Sequence, residues 1–322
     1  MKKAMIMLIM IMMGFIVFGA GTENVISELG YSAGLTGKGE TGYIYGGSVS
    51  SIKVNPSLLS GLKGAGIMWT HTELNYNQWN DYISVGMPID IKGIKMGLGF
   101  SWNRLWIDGI PITDIGDTIE GTDYVEIVNM GNTNMTMNEY GLGLSYKISK
   151  FQIGVLGKYT QGGIMDYTVK GIGFDVGITF IKDIIDRDEI IMDGLINNMG
   201  IAVLIKDIGG TRYKWNTGYS ERTDMIGELG LGLSFDIPIF GEESFNIEGG
   251  VSRYIGRSSE MNYKIGAELY VLPIIPVRIG YNNGGNITGG IGIETDYIRV
   301  DYSYSGMRDI EPVHKVSIGL NW

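Results

Sequence analysis

The sequence predicts an all-β fold: a transmembrane antiparallel β-barrel of about fourteen strands with an N-terminal plug segment. Three observations lead there. First, apolar and polar residues alternate in stretch after stretch; in the last, Val316, Ile318, Leu320 and Trp322 fall on one face and Lys315, Ser317, Gly319 and Asn321 on the other. A period of two is the signature of a strand with two unlike faces. Second, the chain opens on Lys2 and Lys3, an apolar run from Ala4 to Phe18, and Gly19-Ala20-Gly21, the layout of a secretory signal peptide. Third, most alternating stretches are about ten residues long, the length of a tilted strand crossing a bilayer, and the sequence ends on an aromatic residue suited to the membrane interface.

Composition agrees with these observations and excludes several function classes. Among 322 residues there are 51 Gly, 19 Tyr and only 7 Pro, which fits strands with a crowded interior and aromatic boundaries and does not fit collagen or a disordered linker. Mean hydropathy is near neutral, as expected when half of each strand is polar. With no Cys in the chain, disulfides, thiolate metal sites, cysteine nucleophiles and a lipid anchor on an N-terminal Cys are excluded. A formal charge of −10 argues against nucleic-acid binding, which needs a basic surface.

The chain divides into three parts. Residues 1–20 form the expected signal peptide. Its apolar run is too short for a spanning helix of about 20 residues, and cuts after Gly19, Ala20 or Gly21 are all open. Residues 21–63 form the expected plug. They alternate poorly, are rich in Gly and Tyr, and carry Val54-Asn55-Pro56-Ser57-Leu58-Leu59. There Asn55 can cap a short helix opened by Pro56. The alternative for this part is a periplasmic tail. Residues 64–322 form the barrel, with strands expected at 65–75, 80–90, 93–104, 137–149, 150–161, 170–181, 198–208, 225–236, 244–254, 260–271, 274–282, 286–295, 296–305 and 313–322.

The alternation assigns faces. Leu142, Leu144, Tyr146 and Ile148 should face lipid, as should Ile172, Phe174, Val176, Ile178 and Phe180, and Ile298, Val300, Tyr302 and Tyr304. In the first strand Trp69, His71 and Glu73 share a face, so its outward side is open. If the last strand runs down to the periplasm, the turns at 91–92, 149–150, 237–243, 272–273 and 295–296 are periplasmic. The connections at 105–136, 162–169, 209–224, 255–259 and 306–312 are then external and mostly longer, the asymmetry such barrels have. The long 182–197 connection departs from this pattern and is expected to hold a short helix.

Candidate functional residues fall in three groups. On the lumen side, Lys158, Asp175, Glu228, Glu248, Lys264, Glu268, Arg278, Glu294, Arg299 and Asp301 should point inward. They are either a cross-lumen ion-pair network holding a plug or the lining of a selective polar channel. For ligand binding the candidates are Asn55, Pro56 and Leu58 of the plug and Trp106, Ile110 and Ile112 of the long 105–136 connection. That connection would form a lid, a docking patch or a closure over the barrel mouth. The Gly pairs 141/143, 230/232 and 290/292 continue strands, so they read as small lumen residues, not a nucleotide loop. His71 and His314 have no nucleophile-elbow serine or third group set by spacing, and the histidines are too few for a metal site. No catalytic residue, cofactor or metal is expected.

Several stretches carry a family likeness. Val54-Asn55-Pro56-Ser57-Leu58-Leu59 is similar to an "NPAGLA" segment, although Ser57 and Leu58 replace Ala-Gly. Gly173-Phe174-Asp175-Val176-Gly177, Lys264 to Tyr270, Val277-Arg278-Ile279-Gly280-Tyr281, and Asp301-Tyr302-Ser303-Tyr304 followed by His314-Lys315-Val316-Ser317 follow in order. With these, the chain from about Ala33 to Trp322 resembles the PorV/PorQ group of outer-membrane proteins, relatives of the FadL long-chain fatty-acid transporters. The resemblance implies a fourteen-stranded plugged barrel in the bacterial outer membrane. It implies either passage of hydrophobic small molecules through the barrel wall or a role beside the type IX secretion system. The expected partners are outer-membrane lipid, the barrel-assembly machinery acting on the strand ending at Trp322, a hydrophobic small-molecule ligand, and secretion proteins.

Overall fold

The computed structural model describes residues 26, 29–118, 125–183, 196–237, 241–256, 261–282, 286–306 and 311–322. The signal-peptide segment, the first residues of the expected plug and most of the 182–197 connection, with its expected helix, lie outside the described residues.

Among the described residues, sixteen strands form one antiparallel sheet. They are β1 (Gly66–Leu74), β2 (Gln78–Ile91), β3 (Ile94–Thr118), β4 (Val125–Ile148), β5 (Phe151–Ile164), β6 (Tyr167–Asp183), β7 (Ile196–Lys206), β8 (Arg212–Trp215), β9 (Ser220–Arg222), β10 (Met225–Ile237), β11 (Gly241–Ile255), β12 (Asn262–Leu272), β13 (Ile275–Asn282), β14 (Asn286–Glu294), β15 (Ile298–Ser305) and β16 (Val313–Asn321). Fourteen of them close into a ring, and β8 and β9 form a small hairpin hung on the outer end of β6. The ring closes where β1 pairs with β16. Ala65 and Trp322 exchange backbone hydrogen bonds of 3.0 and 2.9 Å there, so the last residue is held by the residue preceding the first strand. Closure leaves the fourteen-strand ring, over the described residues, without an open edge, the condition for a sheet to span lipid.

The faces follow the alternation. Leu142, Leu144, Ile172, Phe174, Ile298, Val300, Tyr302, Val316, Ile318 and Leu320 lie on the exposed outer surface. In β1 the outer set is Ile67, Trp69, His71 and Glu73, with Met68, Thr70 and Thr72 buried inside. Outward aromatics gather toward both ends. Trp69 stacks near His71, Trp79 meets Trp106, and Tyr140 meets Tyr159 at one end; Phe151 meets Phe180 and Phe235 meets Phe245 at the other. An apolar band between two aromatic belts is the surface that a bilayer accepts.

Two connections differ from the sequence expectation. The 105–136 stretch is not an irregular loop: β3 and β4 run on as a paired hairpin past the level of Ile107 and Met135, above which they pair only with each other. Alternating apolar residues such as Ile110 and Ile112 favour strand, and register shifts after Ile107, Ile112 and Ile115 absorb the extra residues. Likewise 162–169 is mostly strand, because β5 and β6 pair out to Ile164 and Tyr167. The excess length at this end of the barrel is therefore largely paired strand.

Candidate functional site

Residues 29–63 run inside the ring. Ser32 caps helix α1 (Ala33–Gly37), a short helix α2 spans Ser51–Val54, and a 3₁₀ turn runs from Pro56 to Gly61. Asn55 precedes Pro56 and accepts a hydrogen bond from the Ser57 N–H, as the sequence suggested for a capped, proline-opened turn. Asn55 Nδ2 also donates to the Tyr43 carbonyl and to Thr179 Oγ1, each at 2.7 Å. The segment is thus pinned to β6 by the side chain that caps its own turn.

The wall meets this segment in two ways. Around the 3₁₀ turn, strands β2 to β6 supply glycines. A Cβ on Gly97 would lie 2.2 Å from the Leu59 backbone, and one on Gly154 would lie 2.4 Å from the Pro56 backbone. On Gly99 and Gly143 it would press on Ile52 and Leu59. With Leu156, Ile52 and Leu59 form a fully buried apolar cluster. Farther round the ring, Gly230 and Gly250 leave room for the Tyr43 ring, and Gly266 and Gly280 for the Lys38–Gly39 backbone. Of the Gly-x-Gly pairs, Gly143, Gly230, Gly232 and Gly290 serve this close approach, whereas Gly141 and Gly292 make room for the wall side chains Ser101 and Asp301.

Beneath α1, on β12 to β15, the contact is charged. Arg278 pairs with Glu268 and, at 2.7 Å, with Asp301. Arg299 pairs with Asp301 at 2.7 Å and Glu294 at 3.2 Å, and Tyr270 donates to Glu294 at 2.9 Å. All are wall residues, and Arg278 and Asp301 are fully enclosed. The segment supplies small groups here: a Cβ on Gly34 would sit 2.9 Å from the Arg299 guanidinium.

Other ion pairs tie segment to wall. Lys38 pairs with Glu248 at 3.0 Å, Lys264 with Glu40 at 3.2 Å, and Lys53 with Glu139. Glu248 also accepts from the backbone N–H groups of Ile44 at 2.7 Å and Tyr45 at 3.0 Å, so one carboxylate holds three points of the segment. Burial pushes the Lys53 ammonium below its usual range, and the Glu139 carboxylate pulls against that shift without cancelling it.

Toward the end that carries the β3–β4 hairpin, the lumen opens into a cavity of about 410 Å³. Its lining includes Lys53, Lys158, Asp175, Lys206, Asp207, Glu228, Glu40 and Lys264, with Leu29, Tyr31, Ile226 and Tyr254 as the apolar part. Close pairs stand among them: Lys158 lies 2.8 Å from Asp175 and 2.7 Å from Asp207, and Lys206 lies 3.1 Å from Glu228; Asp224 and Arg253 also line the cavity. The chamber is thus polar, with most of its charges held in pairs.

The structure places the candidate residues as follows. Asp175, Glu228, Glu248, Lys264, Glu268, Arg278, Glu294, Arg299 and Asp301, with Lys158, all reach the interior, in several separate groups. Asn55, Pro56 and Leu58 are buried against the wall. Trp106 is on the outer face at the barrel rim, where the Arg104 guanidinium sits 5.0 Å from its ring centre. Ile110 and Ile112 belong to the projecting hairpin. None of these last six lines the cavity. Sequence reasoning did not select Glu139, Asp207, Lys206 or Glu40. Lys206 and Asp207 end a strand and Glu40 lies in the aperiodic segment, where alternation carries no face information. His71 and His314 lie on the outer face beside Asp81 and Tyr302, at 2.8 and 2.7 Å. Among the described residues no group of His, Asp and Glu converges as a metal ion would require.

No family model matches this chain, and no curated protein sequence does. Solved structures do match. The CymD monoaromatic hydrocarbon channel aligns with a TM-score of 0.54 at 11% identity, covering 91% of this chain and 98% of that one. A deletion mutant of the TodX monoaromatic hydrocarbon channel gives 0.53 at 12%, with 93% and 98% covered. The Ralstonia pickettii toluene transporter TbuX gives 0.51 at 12%, with 90% and 97% covered. The chain therefore has the fold of the FadL-like hydrocarbon-channel barrels.

Proposed function

We propose that this chain is a plugged outer-membrane barrel that binds hydrophobic small molecules and lets them pass when residues 29–63 shift. The observation that carries this is the fit of segment to wall. The turn from Pro56 to Gly61 seals one end against glycines, and a cavity remains on the other side of the seal. A chamber above a fitted, hydrogen-bonded stopper suits gated passage better than an open pore. The fold shared with the hydrocarbon channels supports the same reading and extends it to outer-membrane placement. The paired charges around the cavity leave Leu29, Tyr31, Ile226 and Tyr254 as the contact surface for an apolar body.

The experiment uses the absence of native cysteine. Ser57 Oγ and Thr179 Oγ1 lie 2.7 Å apart, so Ser57→Cys with Thr179→Cys can join the plug to the wall. Cells carrying the parent protein should take up a labelled monoaromatic hydrocarbon faster than cells without it. The oxidised double variant should lose that gain and regain it on reduction. Uptake indifferent to the crosslink would sink the plug role.

A second reading, binding of secretion or surface proteins as the PorV resemblance implies, is favoured by one observation. The projecting β3–β4 hairpin exposes Ile127, Val128 and Met130. Replacing these three with Ser should abolish capture of a protein partner and leave hydrocarbon uptake intact if this reading holds.

A further inference from the structure

Lumen cations in this barrel come with anions. Lys38, Lys53, Lys158, Lys206, Lys264, Arg278 and Arg299 each have a carboxylate within ion-pair distance. Lys315 does not. It points inward from β16 and is only 6% exposed, yet it has no ion pair and no hydrogen bond to any described residue. Glu40 attracts it and Lys264 repels it, and Glu40 is itself paired with Lys264 at 3.2 Å.

Its neighbours in the wall repeat the pattern. Lys315 is the register partner of Thr72 on β1 and of Ser303 on β15. Thr72 is 1% and Ser303 0% exposed, and the hydroxyl of each has no hydrogen-bond partner among the described residues. Adjacent strands lie about 5 Å apart, so the Lys315 side chain leaves the wall with one hydroxyl residue on each side. An enclosed ammonium with no carboxylate in ion-pair range is costly to a fold, and so is an enclosed hydroxyl left unmatched. Three such groups in a row can each donate to one acceptor.

We propose that Lys315, Thr72 and Ser303 form a recognition site for an oxyanion, the carboxylate or phosphate of a small molecule that has reached the lumen. This deepens the transport reading and rests on its premise that small molecules enter there. The ammonium supplies charge and a charge-assisted hydrogen bond, and the hydroxyls supply two further donors to the remaining lone pairs. An uncharged aromatic compound offers these groups no negative charge.

The test is calorimetric titration of the full purified chain in a non-ionic detergent at low salt, with benzoate, inorganic phosphate and benzyl alcohol as probes. Benzoate should bind the parent and bind Lys315→Met at least about tenfold more weakly, the effect of one charged hydrogen bond. Lys315→Arg should recover most of the affinity, and Thr72→Val should weaken binding by a smaller factor. Benzyl alcohol should not distinguish the variants. Binding of phosphate in place of benzoate, with the same dependence on Lys315, supports the site and assigns it to a free ion. No binding of either anion by the parent, or equal binding by Lys315→Met, overturns it. Lys315→Met removes an unmatched charge, so it should fold at least as well as the parent, which heat-modified gel migration checks. Hydrocarbon uptake by cells separates the two proposals. Uptake absent with benzoate binding intact removes the transport reading alone, and uptake present without anion binding removes this site alone.

Discussion

The two sides of the barrel receive the same N-terminal segment on opposite principles. On β12 to β15, the interior is a closed set of ion pairs, Glu268–Arg278–Asp301–Arg299–Glu294, and every member belongs to the wall. On β2 to β6, it is bare backbone, with Gly97, Gly99, Gly143 and Gly154 against Ile52, Pro56 and Leu59. The difference teaches which side depends on the segment. The charged side is paired within the wall, because each guanidinium finds a carboxylate on a neighbouring strand, Arg278 on Glu268 and Arg299 on Glu294. The glycine side is completed only by the segment's apolar side chains and turn.

Variants can break this contrast. The largest effect is expected from Arg278→Met, which strands Glu268 in the interior and leaves Asp301 with Arg299 alone; loss of one partner of a buried pair costs about 3–5 kcal/mol. Urea unfolding should register this as loss of the whole barrel, and a loss confined to the segment would contradict the self-contained charged side. Val300→Lys, on the lipid face, should cost about 2–4 kcal/mol if it sits near the bilayer midplane. A variant that inserts and resists heat like the parent would overturn the face assignment. Gly97→Val should cost about 1–3 kcal/mol by overpacking. Its signature should be proteolysis of residues 29–63 with the barrel intact, since the Leu59 backbone must give way. Smallest is His71→Ala, which removes a half-exposed outer-face pair with Asp81. The expected change is below about 1 kcal/mol, and a larger one would mean that the outer face carries more of the fold than the interior comparison implies.

Much of the fold was legible because alternation is a local property. Leu142 and Gly143, or Val300 and Asp301, are neighbours whose opposite natures fix their opposite faces without reference to the rest of the chain. Asn55-Pro56 was legible for the same reason: capping and a fixed φ act within a turn. The β3–β4 extension was missed because the charged and polar residues from Asp108 to Glu120 mask the alternation of Ile110 and Ile112. What sustains strand there is pairing with the partner strand, which local pattern does not contain. The cavity was not legible either, since Glu40, Lys53 and Asp207 come from an aperiodic segment and a strand end.

By itself, then, the sequence determined an all-β barrel, the two faces of its strands, and the inward direction of its charges. Each of these follows from a period of two and from the solvent that each face meets. The tertiary structure decided which charges neutralise each other, why the wall needs glycine where it does, and that Lys315 is left without a carboxylate. Those depend on distances between residues far apart in the chain, as between Lys53 and Glu139 or Gly97 and Leu59, and such distances exist only once the ring has closed around the segment.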